Sequence, residues 1–282
     1  RVGIRWDEKN TLVIAADMIK NFGSAESAYL SEVKPVFYYQ FQTPKVTAAA
    51  GIFTRDMMHD DDYSTAFFSE SERFFHNRMN GVLAQYNGKR DSYVEFVCDW
   101  EGMYSTLSRE KFRILLAGRH YLDTFYYGFN YSMFHYAGQQ GAPIENVVDL
   151  QLLNPCVGVR FNAFFDFDIK LGALLTAQRD RSFGHSWEKP CMGEFAFRIS
   201  RWGLSLDERL YVRDNIHPFF YGHALRDGTP LPYGRELYPA ESFFRTDQKV
   251  YSRTALSYRR SFFNDTVSVR AEFAAHHDGT AT

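Results

Sequence analysis

The chain has 282 residues, a net charge of −2 and 17% aromatic residues, with 27 Phe and 18 Tyr. A charge this close to zero argues against a nucleic-acid-binding protein, which usually presents a basic face. No stretch approaches the ~20 consecutive apolar residues of a membrane-spanning helix, which excludes a helical membrane protein. The three cysteines, Cys98, Cys156 and Cys191, match no metal-binding spacing.

Segments of alternating polar and apolar residues recur along the chain. The clearest of them cover residues 93–101, 112–119, 157–163, 164–180, 194–200, 204–212 and 266–276. In 164–180, apolar residues such as Phe167 fall on one face and polar residues such as Asp168 on the other, with Leu174 as an exception. This period of two residues predicts β-strands. The segment is longer than the ~5–6 residues of an ordinary globular strand and reaches the ~9–11 of a tilted membrane strand.

The connections between these segments alternate in length. Short turns are predicted at 8–10, 44–45, 87–90, 122–124, 202–203 and 262–265, and longer polar stretches at 22–33, 56–78, 138–147, 182–190 and 214–246. The connection 103–110 falls where a long connection is expected, but it is shorter than the other long ones. Short turns on one side and long loops on the other are typical of bacterial outer-membrane barrels.

We therefore predict an all-β fold, a transmembrane antiparallel up-and-down β-barrel in the bacterial outer membrane. The pattern gives about 14 strands in this chain and about 16 in a complete barrel, because both termini of such barrels face the periplasm. Residues 1–282 are expected to form a single domain that lacks a strand at each end.

Several short phrases resemble the porin-like barrels of Bacteroidetes outer membranes. They are VGIRW at 2–6, NFGS at 21–24, GIFTR at 51–55, AFFS at 66–69, CDWEG at 98–102 and DERLY at 207–211. The Gly-x-Phe-x-Arg phrase is also weakly similar to phosphate- and anion-selective porins. The resemblance covers most of the chain in order, and it implies a passive pore in the outer membrane.

The polar faces of the predicted strands carry charges of both signs. The candidate pore-lining residues are Arg55, Glu95, Asp99, Arg113, Arg119, Arg160, Asp166, Asp168, Lys170, Arg198, Asp207, Arg209, Arg253, Arg270 and Glu272. One interpretation is that these charges pair across neighbouring strands and stabilise the sheet. The other is a mixed-charge lumen that orients polar solutes. The two interpretations are compatible.

Two further features bear on the lumen and the wall. The aromatic-rich stretch 214–246 supplies a candidate constriction loop with Phe219, Phe220, Tyr221 and Tyr233, although it could equally pack on itself. Glu208 falls on the apolar face of 204–212, where a lipid-facing charge is costly unless a bulge, a strand boundary or a protein partner relieves it.

Signals for catalysis and metal binding are weak. The His/Asp runs His59-Asp60-Asp61-Asp62 and His276-His277-Asp278 lack the alternating oxygen ligands and closing Glu of a calcium loop, so no metal and no cofactor are expected. There is no Gly-x-Ser-x-Gly, no Gly-rich phosphate loop and no His-Glu-x-x-His. The sequence therefore predicts a protein that is not an enzyme.

Three functions remain open from the sequence. The first is a porin for passive diffusion of small polar solutes. The second is a plugged barrel that acts as a subunit or scaffold of a larger outer-membrane complex, for example for glycan or nutrient uptake. The third is a soluble β-sandwich that binds glycans. The expected partners are outer-membrane lipid and lipopolysaccharide, small polar solutes, and copies of itself or complex subunits, with no nucleic acid.

Overall fold

The computed structural model describes residues 2–20, 29–141, 147–181, 186–214, 216, 240–245, 248–264 and 267–278. They form one antiparallel sheet of 14 strands in which each strand pairs with the next in sequence. The strands are β1 (Val2–Arg5), β2 (Asn10–Ile19), β3 (Glu32–Gln42), β4 (Val46–Thr54), β5 (Arg78–Asn87), β6 (Tyr93–Gly102), β7 (Lys111–Leu122), β8 (Phe125–Tyr136), β9 (Val148–Asn162), β10 (Asp166–Asp180), β11 (Cys191–Arg201), β12 (Leu204–Arg213), β13 (Val250–Phe262) and β14 (Val267–His277).

The predicted all-β, up-and-down class and the number of strands are confirmed. Connections alternate between short turns and long segments, as the sequence indicates. Short helical elements occur at Arg55–Met57, Asp60–Asp62 and Ser242–Arg245, with one α-helix, α1 (Glu70–Phe75). In the part of the chain described, no helix is both long and apolar enough to cross a membrane.

The turn between β11 and β12 explains why the strands reverse so tightly there. Trp202 and Gly203 have φ values of 53° and 83°. Two consecutive residues of positive φ match the right-handed twist of paired strands. A Cβ atom on Gly203 would lie 2.2 Å from the carbonyl oxygen of Arg259, so the turn requires glycine at this position.

The two faces of the sheet differ in a way that is inverted relative to a soluble protein. On β10 and β12, apolar side chains such as Leu171 (57% exposed) and Leu204 (48%) point outward. Charged side chains such as Glu95 (0%) and Arg113 (4%) point to the other face and are buried there. An apolar outer face with a polar inner face is the pattern of a transmembrane barrel.

The inner face also holds an apolar core, which explains Leu174, the exception in the alternation of β10. Leu174 is fully buried, and it belongs to one cluster with Val97, Leu115 and Met192 of other strands. The same cluster includes Phe67 and Phe68, which come from the connection between β4 and β5. The interior is therefore a packed core in part, whereas the lumen of a porin is water-filled.

Candidate functional site

Residues 55–77, which join β4 to β5, fold into the space enclosed by the sheet, and we call them the inward segment. Two of its side chains, Tyr63 and Phe68, are fully buried. Its α-helix begins after Ser69, whose side chain accepts a 3.0 Å hydrogen bond from the backbone N–H of Glu72. The polar composition of 56–78 predicts an outer loop, and the structure places the segment inside instead. The apolar run at 66–68 was the available signal that it packs inside.

One side of the inward segment is fixed to β6 and β7. Glu95 accepts hydrogen bonds from the backbone N–H of His59 at 2.8 Å and from the hydroxyl of Tyr63 at 3.2 Å. Asp62 forms a 2.7 Å ion pair with Arg119 and accepts a 2.6 Å hydrogen bond from the hydroxyl of Tyr93. The carboxylate of the buried Glu95 thus has partners, as a buried polar group requires.

The other side of the same segment is fixed to β12 and β13. The hydroxyls of Ser64 and Thr65 lie 2.9 and 3.1 Å from the hydroxyl of Tyr211. Glu70 lies 3.4 Å from Arg253. Since β6 and β13 are far apart in the order of the sheet, the sheet must curl around the inward segment, which spans the enclosed space.

Charged groups of the inward segment are partly removed from water. Asp60 lies 2.8 Å from Arg73 and 3.6 Å from Arg55. Burial raises the pKa of the Asp60 carboxyl, and the two arginines oppose that rise. Burial also lowers the pKa of Arg55. A cavity of about 610 Å³ borders these groups and reaches Arg259 of β13, so part of the enclosed space remains open beside the segment.

At the end of α1, Glu72 and His76 form a pair of side chains able to exchange a proton. The Nδ1 atom of His76 lies 2.6 Å from Oε2 of Glu72, one helical turn away. The His76 side chain is 68% exposed. A histidine held by a carboxylate is an arrangement that can act as a general base. Among the described side chains, no group of three or more His, Cys, Asp or Glu residues could hold a metal ion.

The structure places most of the predicted pore-lining residues on inward strand faces, where many form ion pairs. The pairs are Arg113–Glu101 (3.1 Å), Arg119–Asp62 (2.7 Å), Arg160–Asp168 (3.1 Å), Lys170–Glu194 (3.1 Å), Arg198–Asp207 (2.5 Å), Arg253–Glu272 (2.7 Å) and Arg270–Glu272. These charges therefore pair within strands, across strands and, for Arg119, with the inward segment.

The remaining predicted residues have separate environments. Asp99 accepts a 2.7 Å hydrogen bond from the backbone N–H of Asn80, and Asp166 accepts one of 2.5 Å from Asn162. Arg209 borders a small cavity of about 80 Å³ between the inward segment and the wall. Arg55 lies on the inward segment and not on a strand, 4.1 Å above the ring of Phe68.

The candidate constriction residues Phe219, Phe220, Tyr221 and Tyr233 lie outside the described residues. Two other aromatic residues of that stretch can be placed. Phe243 stacks on Tyr251 with ring centroids 4.4 Å apart, and Phe244 meets Tyr211 edge-on at 5.1 Å.

Glu208 lies on the outward face, as its position in the alternation predicts. Thr254 donates a 2.5 Å hydrogen bond to its Oε2 atom, and Ser252 donates another to Oε1. Both hydroxyls come from the neighbouring strand β13, directly opposite and diagonal to Glu208. Two hydroxyls of the neighbouring strand thus bind this carboxylate within an unbroken register of β12 and β13, with no bulge at Glu208.

Comparison with known families indicates a function that the sequence reasoning did not propose. The model of a family described as lipid A 3′-O-deacylase-type matches residues 1–187 of the 282. The chain belongs to the lipid A 3′-O-deacylase-type family. No curated protein matches the chain.

Membership of the lipid A 3′-O-deacylase-type family corrects four expectations. The assignment to porin-like barrels is wrong, and so are the passive-pore function and its alternative as a subunit or scaffold of a complex. The expectation that the chain is not an enzyme is also wrong, because the family is one of deacylases. Linear motifs do not reveal such an activity, because strands can bring catalytic groups together from distant positions, as the triad found on unrelated folds illustrates.

Proposed function

We propose that the protein is a bacterial outer-membrane enzyme that hydrolyses an acyl ester of lipid A, the lipid anchor of lipopolysaccharide. The observation that carries this proposal is the family match over residues 1–187. In the reaction, water adds to the ester carbonyl and the bond between that carbon and the sugar oxygen breaks. The products are a free fatty acid and lipid A with a hydroxyl at the former ester position, which the family description places at 3′.

The exposed outer face supports a location in the membrane where lipid A occurs. Outward-facing side chains such as Phe129, Leu171 and Val269 are 39%, 57% and 55% exposed. An apolar face of this kind is stable against lipid chains and unfavourable in water. A substrate that lies in the same bilayer can then reach the wall laterally.

The filled interior supports an enzyme over a channel. Passive diffusion needs a continuous aqueous path, but the inward segment spans the enclosed space from Glu95 on β6 to Tyr211 on β12. The hydrogen bonds at both ends hold it in place. The filled barrel therefore holds its rim and outer wall in fixed positions, and a lipid substrate can bind to them.

The proposal is tested by following fatty-acid release from purified lipid A in mixed detergent micelles. The folded protein should release fatty acid at a rate proportional to its concentration, and the same preparation unfolded by heat should release none. Lipid A that stays intact at equimolar folded protein would contradict the proposed function.

A further inference from the structure

A groove lies on the outward wall across β5 to β8, at the end of these strands that bears the short turns. It bounds a cavity of about 650 Å³, and ligand pockets commonly measure ~300–1,000 Å³. We call it the turn-end groove, and the outward residues that line it are Tyr86, Val94, Gly118, His120, Tyr127 and Phe129. The described hydrogen bonds and ion pairs that hold the inward segment use other side chains.

Gly118 of β7 forms the floor of the turn-end groove. Its direct neighbours across the sheet are Val94 on β6 and Phe129 on β8. A Cβ atom at this position would lie 3.3 Å from the ring of Phe129 and 3.7 Å from Cγ2 of Val94. Any side chain at position 118 would therefore project between these two residues and fill the floor.

The backbone of β7 does not require glycine at position 118. The described glycines with positive φ are Gly51, Gly141 and Gly203, so other residues can adopt the conformation of Gly118. Glycine inside a strand weakens the strand, and it often marks a site where a ligand approaches the backbone closely. The space above Gly118 is thus the feature that the missing side chain provides.

The walls of the groove change in character along its length. His120 and Tyr127 lie two residues nearer the turn than Gly118 and Phe129, and their ring centroids are 5.4 Å apart. Tyrosine is enriched at the boundary between water and hydrocarbon. Val94 and Phe129 lie further from the turn and are apolar. The groove therefore runs from an interfacial end to a hydrophobic end.

The interfacial end of the groove is positively charged. Lys89 and Arg90, in the turn between β5 and β6, line the cavity, and no described carboxylate lines it. Asp91 lies in the same turn, and Arg90 forms a 2.9 Å ion pair with Asp123 of the next short turn. In the described part of the chain the ammonium group of Lys89 has no ion pair. The charge that faces the cavity is therefore suited to an anion.

The position of the groove along the strands assigns it to one leaflet of the membrane. The connections 88–92 and 123–124 are short, and short turns face the periplasm in bacterial outer-membrane barrels. The periplasmic leaflet of that membrane consists of glycerophospholipids, whereas lipid A lies in the opposite leaflet. The turn-end groove thus faces a lipid other than the substrate proposed above.

We infer that the turn-end groove binds one anionic glycerophospholipid of the periplasmic leaflet. The phosphate contacts the ammonium group of Lys89 and the guanidinium of Arg90, as in other basic sites for lipid headgroups. An acyl chain runs over Gly118 between Val94 and Phe129. The order of charged, interfacial and apolar groups along the groove matches their order in such a lipid. The inference rests on the membrane location and is independent of the proposed ester hydrolysis.

Photo-crosslinking in vesicles tests the site. The protein is placed in phosphatidylethanolamine vesicles that contain a trace of phosphatidylglycerol with a diazirine in its acyl chain, and crosslinked residues are mapped by mass spectrometry. Crosslinks should concentrate at Val94 and Phe129. Val269 of β14 is the internal reference, because it also lies near a short turn on the outward face and is 55% exposed, as is Val94. Equal crosslinking at Val94 and Val269 would overturn the inference.

Charge reversal tests the headgroup contact. Lys89→Glu should lower the yield of crosslinks at Val94 about fivefold or more, because one cation near the membrane surface contributes roughly this factor to binding of anionic lipid. Lys45→Glu is the matched control, since Lys45 is an exposed lysine in the short turn between β3 and β4 and does not line the groove. It should leave the yield unchanged. Equal yields in the two variants would contradict the assigned headgroup site.

Filling the floor tests the acyl-chain contact. Gly118→Val should lower crosslinking at Phe129 severalfold, whereas Gly193→Val should not. Gly193 is the control because it lies outward on β11, where a Cβ atom would be 3.7 Å from Val212 and so has room. Heat-modifiable gel mobility verifies that each variant is folded. Unchanged crosslinking in folded Gly118→Val would overturn the inference.

Competition identifies the source of the lipid. An excess of unlabelled phosphatidylglycerol should displace the probe from the groove. Lipid A is the alternative anionic lipid of this membrane, and an equal excess of it should displace the probe far less. Displacement by lipid A as effective as that by phosphatidylglycerol would overturn the assignment to a glycerophospholipid.

Discussion

At the scale of single residues, the Glu72–His76 pair links the charge state of the inward segment to pH. The hydrogen bond to Glu72 raises the pKa of His76 above its ordinary 6.5. Burial raises the pKa of Glu72, but the hydrogen bond from His76 and the charge of Arg113 outweigh it and bring the pKa below 4.5. The stability contributed by His76 is complete below pH 6.5 and is lost as pH rises through the folded-state pKa of His76. The stability contributed by Glu72 is complete above pH 4.5 and is lost as pH falls through the folded-state pKa of Glu72.

We predict that the end of α1 is most stable between about pH 5 and 6.5, the window in which both groups are charged. The midpoint of the His76 titration, measured by NMR of histidine side chains in nanodiscs, should lie above 6.5 and should fall in Glu72→Gln. Glu70→Gln is the control, because Glu70 faces Arg73 and Arg253. A midpoint that does not respond to Glu72→Gln would show that the pair is not formed.

Pairing of charged side chains can be anticipated from the sequence where the partner lies on the next strand. Arg160 and Asp168 are eight residues apart across one short turn, and their pairing follows from the alternation. The partners of Glu208 were out of reach of such reasoning. Ser252 lies 44 residues further on, after the longest connection, and only the register of β12 against β13 places its hydroxyl on the carboxylate.

At the scale of elements, the inward segment is the main difference from the expected barrel. Its polar composition, including three consecutive aspartates at 60–62, is typical of a solvated loop. The structure satisfies those charges internally, with Asp60 on Arg73 and Asp62 on Arg119. Burial of Phe67 and Phe68 against the strands then favours the inward position.

Phe68 fixes the inward segment, because its ring is fully buried and lies under the guanidinium of Arg55. Phe68→Ala should cost about 3–5 kcal/mol of local stability, as for other buried phenylalanines. Hydrogen exchange of residues 55–77, followed by mass spectrometry, should accelerate strongly in this variant. Phe74→Ala, whose side chain is 64% exposed on the same segment, should leave exchange unchanged. Equal exchange in both variants would mean that the ring does not anchor the segment.

At the scale of the whole molecule, strand number, strand order and the alternation of connection lengths followed from the sequence. Period-two patterning is a local property, and each strand pairs with its sequence neighbour. Function did not follow, because an open and a filled barrel share the same strand pattern. What separates them is the inward segment, whose contacts with β6 and β12 are juxtapositions in space.

The inverted faces of the sheet predict how the whole protein behaves in solution. It should require detergent, and it should migrate faster on gels when unheated than after boiling, since a hydrogen-bonded sheet resists unfolding by detergent. A protein that is monodisperse in buffer without detergent would contradict the membrane location and favour the soluble sandwich. The outward Phe129 and Leu171 side chains are the physical reason for the expectation.

The proposed activity of this barrel is cleavage of an acyl ester of lipid A. Tandem mass spectrometry of lipid A before and after incubation with the folded protein tests this activity, because fragment masses locate the missing chain. We expect the loss of one ester-linked chain from the 3′ position, with the amide-linked chains retained. Lipid A that keeps every chain, beside folded protein in the same sample, would contradict it.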